Sequence, residues 1–380
     1  MGSDNVPPRL ALFLPTLGGG GAERVFVTLA NVFADRGYRV DLVLVSARGP
    51  YLGLVSPKVR LVNLNAGRVS RAFLPLVRYM RRVRPVALLS AMTHTNVLAI
   101  WARKLTRIST VLVISERSTF SIAMGSRANA GVFSAFLPWI ARYSYSMADK
   151  IVAVSRGVAE DLVGSMPLDR NKIAVVYNPV ATVDAESLGG RKPDHPWFGL
   201  GQPPVVLAVG RLEEPKNYPL LLSAFARLRK ETECRLIILG EGRLRESLTK
   251  EVADLGLEQD VDLPGFVDDP FTWMYHAELF VLSSSWEGLP NALIQAMACG
   301  TKIVSTDCPS GPREILEDGK WGQLVPTDDV GTLYEAMIKA LGDKNPPDVL
   351  RRSKYFSVER AADGYLAAMG VEANGKSPET

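Results

Sequence analysis

Apolar positions along the chain alternate between short continuous runs and longer stretches in which they recur at helical spacing. Leu10–Pro15 is such a run and predicts a strand. The residues T-L-G-G-G-G-A-E-R-V follow it and open a helix over Ala22–Arg36, which Gly37 closes as a C-cap before a second strand at Arg39–Val45. Further strands are expected at Val59–Leu64, Val86–Ser90, Thr110–Ser115, Lys150–Val154 and Ile173–Tyr177, with helical stretches between them. The second half repeats the alternation. Strands are expected at Val205–Val209, Arg235–Leu239, Val261–Leu263 and Leu279–Leu282, and helices over Tyr218–Lys230, from Asn291 to Met297, and at Phe356–Met369. Strand–helix alternation of this kind predicts parallel, doubly wound α/β sheets. Residues 181–203 are rich in Gly, Pro and charge without periodicity and read as a linker. The expected organisation is a first domain over 1–180, a second over 204–355, and a C-terminal helix and tail over 356–380.

Composition fits that picture. The 380 residues are 47% hydrophobic and 22% charged, as expected for two domains with full cores. Three scattered cysteines, Cys234, Cys299 and Cys308, argue against a disulfide scaffold and for a reducing compartment. No apolar run reaches the roughly 18–20 residues of a membrane span. The opening M-G-S-D-N-V-P-P has no apolar core of a signal peptide, and Val6 breaks a myristoylation motif. Net charge is +4, but it is divided unevenly. Residues 1–180 hold 23 Lys and Arg against 9 Asp and Glu, a net +14, and residues 181–380 hold 21 against 31, a net −10. One half therefore suits an anionic surface or substrate. Two stretches of the basic half interleave cations with large apolar residues. Arg68–Arg84 mixes Phe73, Leu74, Leu76, Val77, Tyr79 and Met80 with five further arginines, and Ala130–Met147 carries Phe133, Phe136, Leu137, Trp139, Ile140, Tyr143 and Tyr145 with few acids. Such helices either cover a sheet or lie on an anionic bilayer, where each nearby cation contributes ~1 kcal/mol. With +14 on this half, peripheral membrane association is expected.

The densest chemistry lies in S-S-S-W-E-G-L-P-N-A-L-I-Q-A-M-A-C-G-T-K-I-V-S-T-D-C-P-S-G-P-R-E-I-L, residues 283–316. The strand Leu279–Leu282 ends in three serines, an exposed-looking Trp286 and the carboxylate Glu287. Gly288, Leu289 and Pro290 make a turn, and Asn291 begins a helix. Glu287 thus stands at a strand's carboxyl end beside helix-start N–H groups, where open α/β sheets bind ligands and phosphate is favoured. An ordinary strand–loop–helix unit is the plainer alternative for the loop alone.

This stretch resembles the carboxyl-half signature of the retaining, GT-B-type glycosyltransferases of family four, and D-C-P-S-G-P-R-E-I-L (307–316) is similar to members that use UDP-linked sugars to build bacterial surface glycans. The resemblance covers nearly the whole chain, loosely in the first half and tightly in the second. It implies two Rossmann-like domains facing a cleft, with the last helix crossing back to the first domain. It also implies retention at the anomeric carbon, with the leaving phosphate helping to deprotonate the acceptor hydroxyl. Glu287 matches the family's first acid, and an ionised carboxylate can accept two sugar hydroxyls and fix the ring. Where the family's second acid would receive the ribose hydroxyls stands Gln295, which offers one acceptor oxygen and an NH2. After the strand Val205–Val209 comes G-R-L-E-E-P-K-N-Y, and the resemblance assigns Arg211 and Lys216 to the departing diphosphate, with Gly210 making the turn. These are fixed cations in place of a divalent ion. Asp260-Val-Asp262 has the spelling of a metal motif, but it alternates with an apolar residue at a strand start and reads as solvent-facing. No metal or other cofactor is expected. Glu241 and Val267 are implied as further donor contacts, with base readout through the backbone around Gly265-Phe266-Val267 and Arg313-Glu314 in the same wall.

In the first half, Gly18 to Gly21 let the backbone approach a ligand closely. Glu23 at the third glycine position excludes the dinucleotide fingerprint. By resemblance Gly19 and Gly20 lie near the donor phosphates and Gly18 near the acceptor. His94, in S-A-M-T-H-T-N, is a candidate for touching the transferred sugar or else an ordinary loop histidine. Glu116 and Arg117 either bind the acceptor's diphosphate or pair with each other, with the first preferred. The expected activity is metal-independent, retaining transfer of a hexose or N-acetylhexosamine from a UDP-sugar to a lipid-linked saccharide at the cytoplasmic face of a bacterial inner membrane, with no nucleic-acid partner. The alternatives are a nucleotide-sugar-binding protein made weak or inactive by Gln295, or a sugar-nucleotide epimerase, which would need acids in both halves.

Overall fold

The computed structural model describes residues 7–125, 132–180 and 188–371, without the side chains of 123–125 and 132–135. Residues 181–187 of the expected linker, residues 130–131 of the second aromatic stretch and the tail from 372 lie outside the described residues, as does the Phe133 side chain. The chain divides into two compact units, one of Met1–Pro179 with Val358–Thr380 and the other of Val180–Ser357.

The first unit is built on seven parallel strands: β1 Arg9–Leu14, β2 Arg39–Leu44, β3 Arg60–Asn63, β4 Ala87–Ala91, β5 Val111–Glu116, β6 Lys150–Ala153 and β7 Ile173–Val175. Their order is β3-β2-β1-β4-β5-β6-β7. A parallel sheet is covered on both faces, which is why the central strands read as continuous apolar runs. Leu10 to Leu14 are all fully buried. The helix Gly21–Asp35 lays Phe26 and Phe33 on this sheet, and the last helix, Val358–Ala368, adds Tyr365 and Leu366 to the same core. Gly37 closes the first helix as expected, at φ +90°, with its N–H on the Ala34 carbonyl and that of Tyr38 on Phe33. The most deeply buried charge of this unit lies on β2. Asp41 on β2 is fully enclosed, accepts from Arg9 at 2.6 Å and the Tyr79 hydroxyl at 2.7 Å, and is also paired with Arg60.

The second unit holds six parallel strands: β8 Val205–Val209, β9 Arg235–Leu239, β10 Val261–Gly265, β11 Leu279–Leu282, β12 Lys302–Thr306 and β13 Gln323–Val325. Their order is β10-β9-β8-β11-β12-β13. In both sheets the order reverses beside the first strand, between β1 and β4 and between β8 and β11. The carboxyl ends of those strand pairs are the places where doubly wound sheets take ligands.

Three expectations are corrected here. Asp260 is not solvent-facing: it precedes β10, is mostly buried, and is engaged by Arg229 at 3.0 Å and by Arg235. Asp262 sits 2.9 Å from His195 Nε2. Residues 188–203 are also not a loose connector. Leu188 is buried, and His195 and Phe198 form edge-on and tilted ring contacts with Trp273. Finally, the two helices singled out as basic and aromatic differ. Phe73–Val83 turns Leu76, Val77, Tyr79 and Met80 inward and leaves only Leu74 of its large apolar residues exposed. Val132–Ser144 does the opposite, displaying Phe136, Trp139 and Tyr143 at 59%, 72% and 67% exposure.

Candidate active site

The loops after β8 and β11 meet at the order reversal of the second sheet, and three consecutive serines bind them together. The Ser283 hydroxyl donates to the Lys216 carbonyl at 2.7 Å, and the Ser285 N–H donates to the Pro215 carbonyl at 2.9 Å. Asn217, in the left-handed region at φ +44°, donates to Ser285 Oγ at 3.1 Å and to Asp328 at 2.9 Å. Ser284 turns the other way and donates to Glu287 Oε1 at 2.8 Å. The same oxygen accepts from Lys216 Nζ at 2.5 Å. Both partners of this ion pair are largely buried, at 19% and 14% side-chain exposure. The two groups assigned from the sequence to opposite ends of a sugar nucleotide therefore hold each other.

Small residues make room for the pair. A Cβ on Gly210 would stand 2.8 Å from Lys216 Cε. The turns after three neighbouring strands also interlock. The Gly210 N–H donates to the Leu239 carbonyl, that of Gly240 to Gly265, and that of Leu212 to Glu241. Gly240, at φ +140°, lies so near the Gly210 carbonyl that a Cβ would come within 2.0 Å of its oxygen. Burial and the neighbouring Glu287 charge push the Cys308 thiol well above its ordinary pKa, so it is protonated and inert.

Beyond Glu287, Gly288, Leu289 and Pro290 are buried and held from behind. The Ser310 hydroxyl donates to the Gly288 carbonyl at 2.8 Å, and the Glu287 N–H reaches the Pro309 carbonyl at 3.4 Å. The turn delivers the helix Asn291–Ala298, on which Asn291 and Gln295 are half-buried. The Gln295 side chain makes no hydrogen bond among the described residues. Trp286 is half-buried rather than exposed.

Other expected residues are placed as follows. Arg211 is exposed, and its guanidinium has no ion pair or hydrogen bond among the described residues. Glu241 is taken by Arg245 in a two-pronged pair at 2.8 Å, a bond that holds its carboxyl below the usual range. Val267 is half-buried and Phe266 exposed at the end of β10. Arg313 is engaged by Asp307 and Asp318.

In the first unit the glycine run sits at the end of β1. Tyr51 clamps it by donating to the Gly19 carbonyl at 2.9 Å, and Gly20 packs against the Glu23 carboxylate. Gly18 lies against Thr16 Oγ1. His94 stands half-buried in the first turn of the helix Thr93–Thr106, just after Met92, whose φ of +75° is unusual for a side chain of its size. The expectation for Glu116 is corrected. It is 2% exposed, accepts from Asn96 at 3.0 Å and from the Tyr145 hydroxyl, and so presents no face to an acceptor. Nor does it pair with Arg117, which donates to Asn178 at 2.6 Å and to the Tyr365 hydroxyl at 3.3 Å. Sequence reasoning missed Ser284, Ser310 and the Tyr51 clamp. The serine triplet was a visible signal, whereas Tyr51 and Ser310 carry none.

Comparison with known proteins gives the same answer for both units. The domain described as "Glycosyltransferase Family 4" matches residues 19–183, and "Glycosyl transferases group 1" matches residues 203–343. The chain is 32% identical, over 91% of its length and 92% of the relative's, to the N-acetylgalactosamine-N,N'-diacetylbacillosaminyl-diphospho-undecaprenol 4-alpha-N-acetylgalactosaminyltransferase of Campylobacter jejuni. It is 30% identical, over 91% and 95%, to the lipopolysaccharide core biosynthesis glycosyltransferase LpsE of Rhizobium meliloti. Among solved structures, Anabaena HepE in complex with UDP-glucose superposes with a TM-score of 0.80 at 17% identity, covering 95% of this chain and 99% of that one. The lipopolysaccharide outer core galactosyltransferase WaaB superposes at 0.71 and 20% identity, over 95% and 99%. The fold is accordingly GT-B, and the chain belongs to glycosyltransferase family 4, an enzyme that transfers glycosyl groups.

Proposed function

We propose that the protein moves a hexose or N-acetylhexosamine from a UDP-sugar to a lipid-linked saccharide during bacterial surface-glycan assembly, with retention at the anomeric carbon and without a metal. The observation that carries this reading is the Lys216–Glu287 pair at the order reversal of the second sheet. A diphosphate arriving there competes with Glu287 for the ammonium, and the sugar's hydroxyls compete with Lys216 for the carboxylate. Binding of the whole nucleotide sugar thus replaces one ion pair by two sets of charge-assisted contacts. Arg211, exposed beside the same turn, supplies a second, two-pronged cation for the leaving group. His94 and the loop Gly18–Gly20 are further candidates for binding acceptor and phosphate. The relatives' printed names support the acceptor class, one acting on a diphospho-undecaprenol saccharide and another in lipopolysaccharide core synthesis. A neighbour bound to UDP-glucose supports the nucleotide.

No helix among the described residues is long and apolar enough to cross a membrane. We infer peripheral attachment at the inner face of the plasma membrane, through the outward aromatics of Val132–Ser144 and the +14 charge of the first 180 residues. One assay tests the function: UDP release from a panel of UDP-hexoses and UDP-N-acetylhexosamines, with and without an undecaprenol-linked saccharide in anionic or neutral vesicles. Release that depends on the acceptor and is faster on anionic vesicles at low salt is the expected result. No release from any of these sugars, or equal rates on both vesicle types, sinks the corresponding half of the reading.

Gln295 yields a separate expectation. Its side chain is not bound to other described residues, so a carboxylate at that place is free to take both ribose hydroxyls. Gln295→Glu is expected to tighten UDP binding about five-fold, the worth of exchanging a neutral for a charged hydrogen bond, on the order of 1 kcal/mol. Turnover is expected to stay within about two-fold. Calorimetry with UDP and steady-state kinetics separate the two quantities, and a large rise in kcat at constant affinity removes Gln295 from the ribose pocket.

A further inference from the structure

Tyr218 opens the helix Tyr218–Leu228 two residues after Lys216 and is 3% exposed. Its hydroxyl is buried and has no hydrogen-bond partner among the described residues. Buried hydroxyls are nearly always bonded, and leaving one unpaired is costly, so an exception calls for a reason. Its position supplies one. The point where Gly210 would carry a Cβ lies 3.0 Å from the Tyr218 hydroxyl and 2.8 Å from Lys216 Cε, so the phenol oxygen and the lysine stem share one small space. Glu287 is near enough that its charge adds to burial in raising the Tyr218 pKa, which keeps the proton on the oxygen and makes the group a donor. Lys216 and Ser284 both donate to Glu287 Oε1, so the ammonium that shares the small space with the phenol is also the cation on this carboxylate.

We propose that the Tyr218 hydroxyl is the reserve hydrogen-bond donor to Glu287. When an incoming diphosphate draws the Lys216 ammonium away, Tyr218 takes over the carboxylate and holds it toward the sugar. In the free protein Lys216 occupies that place, and the hydroxyl is left without a partner. A partly buried carboxylate that lost its cation and gained nothing would be strongly disfavoured, and with it the engagement of Lys216 on phosphate. Tyr218 is in this sense a positioning residue, acting through Glu287 and touching neither phosphate nor sugar.

The inference rests on the roles given to Lys216 and Glu287 above, and its test has one arm that needs no activity. Denaturant unfolding is measured for the parent, Tyr218→Phe, Lys216→Met and the double variant. Tyr218→Phe removes only an unpaired hydroxyl and is expected to leave the free protein as stable as the parent or more so. Lys216→Met is expected to raise the unfolding constant about ten-fold more when position 218 is Phe than when it is Tyr, the scale of a hydrogen bond to a charge. Additive effects, or a loss of stability from Tyr218→Phe alone, overturn the proposal. In the second arm Tyr218→Phe is expected to lower kcat about ten-fold with any accepted UDP-sugar while calorimetry shows unchanged affinity for UDP. A parent-like kcat overturns it too. Should the parent release UDP from no sugar, the functional reading fails, and the unfolding cycle still decides the fate of Tyr218.

Discussion

Lys216→Met is expected to slow UDP release from the accepted UDP-sugar by roughly 10²–10³. The loss of one preorganised charge contact to a developing anion has that size, about 3–4 kcal/mol of barrier. Methionine keeps the stem that packs over Gly210 and removes only the charge, so the turn Arg211–Asn217 has no steric reason to move. The free protein loses stability as well, because the largely buried Glu287 carboxylate loses its cation. Thermal unfolding and kinetics must therefore be read together at a temperature where the variant is folded. Combining Lys216→Met with Arg211→Ala deepens the defect, since no other described cation is free beside that turn: Arg243 is held by Glu213 and Glu214. The parent is expected to work equally well in EDTA. A double variant at the parent rate, or a parent silenced by chelator, would falsify the assignment of the leaving-group charge to these side chains.

Gly240→Ala is expected to cost about 4 kcal/mol and to weaken UDP binding. The position has φ +140°, a region that side chains rarely adopt, and the added methyl would lie 2.0 Å from the Gly210 carbonyl oxygen. Backbone strain of about 1–3 kcal/mol and overpacking of similar size both apply, and neither has an easy escape because the clash is with main chain. For a unit of this size, each kcal/mol lowers Tm by roughly 2–4 °C, so a fall on the order of 10 °C is expected. The obvious relaxation pushes Gly210 away from Gly240 and carries Arg211 with it. Loss of UDP affinity should therefore accompany the loss of stability. An unchanged melting curve would mean that the turns after β8 and β9 do not interlock as described.

Much of the architecture was legible because parallel strands buried on both faces must be continuously apolar. β8, β9 and β11 fall on the runs that predict them, residue for residue. β12 and β13 were not, because Lys302–Thr306 mixes polar and apolar residues although it lies inside the sheet, and Gln323–Val325 is only three residues long. The site was legible to the level of residues with special spelling: the serine triplet, Glu287, and the Arg211–Lys216 loop. Its pairing was not. Nothing in the spacing of Lys216 and Glu287 says that they touch, since the contact is made by two loops brought together only by the strand order β8-β11. Glu116 shows the reverse failure. A polar residue at a strand's carboxyl end normally faces a ligand, yet here Asn96 and Tyr145 close over it from two helices, and local sequence carries no sign of that cover.

The last helix, Val358–Ala368, supplies Tyr365 and Leu366 to a core otherwise made by the first 180 residues, and Arg36 is bonded to Asp363 at 2.5 Å across 327 positions. During synthesis, then, the amino-terminal sheet waits with part of its apolar face uncovered while the entire second unit is made. At about 5–20 residues per second that delay is on the order of 10–40 s. Within the second unit the Val180 N–H meets the Phe356 carbonyl at 2.9 Å, so that unit begins and ends at one spot and can complete itself early as a self-contained insert. Birth order and maturation order are therefore opposed. The half made first is the last to be sealed, and nascent chains stalled or cleaved before residue 358 should be the ones that chaperones hold.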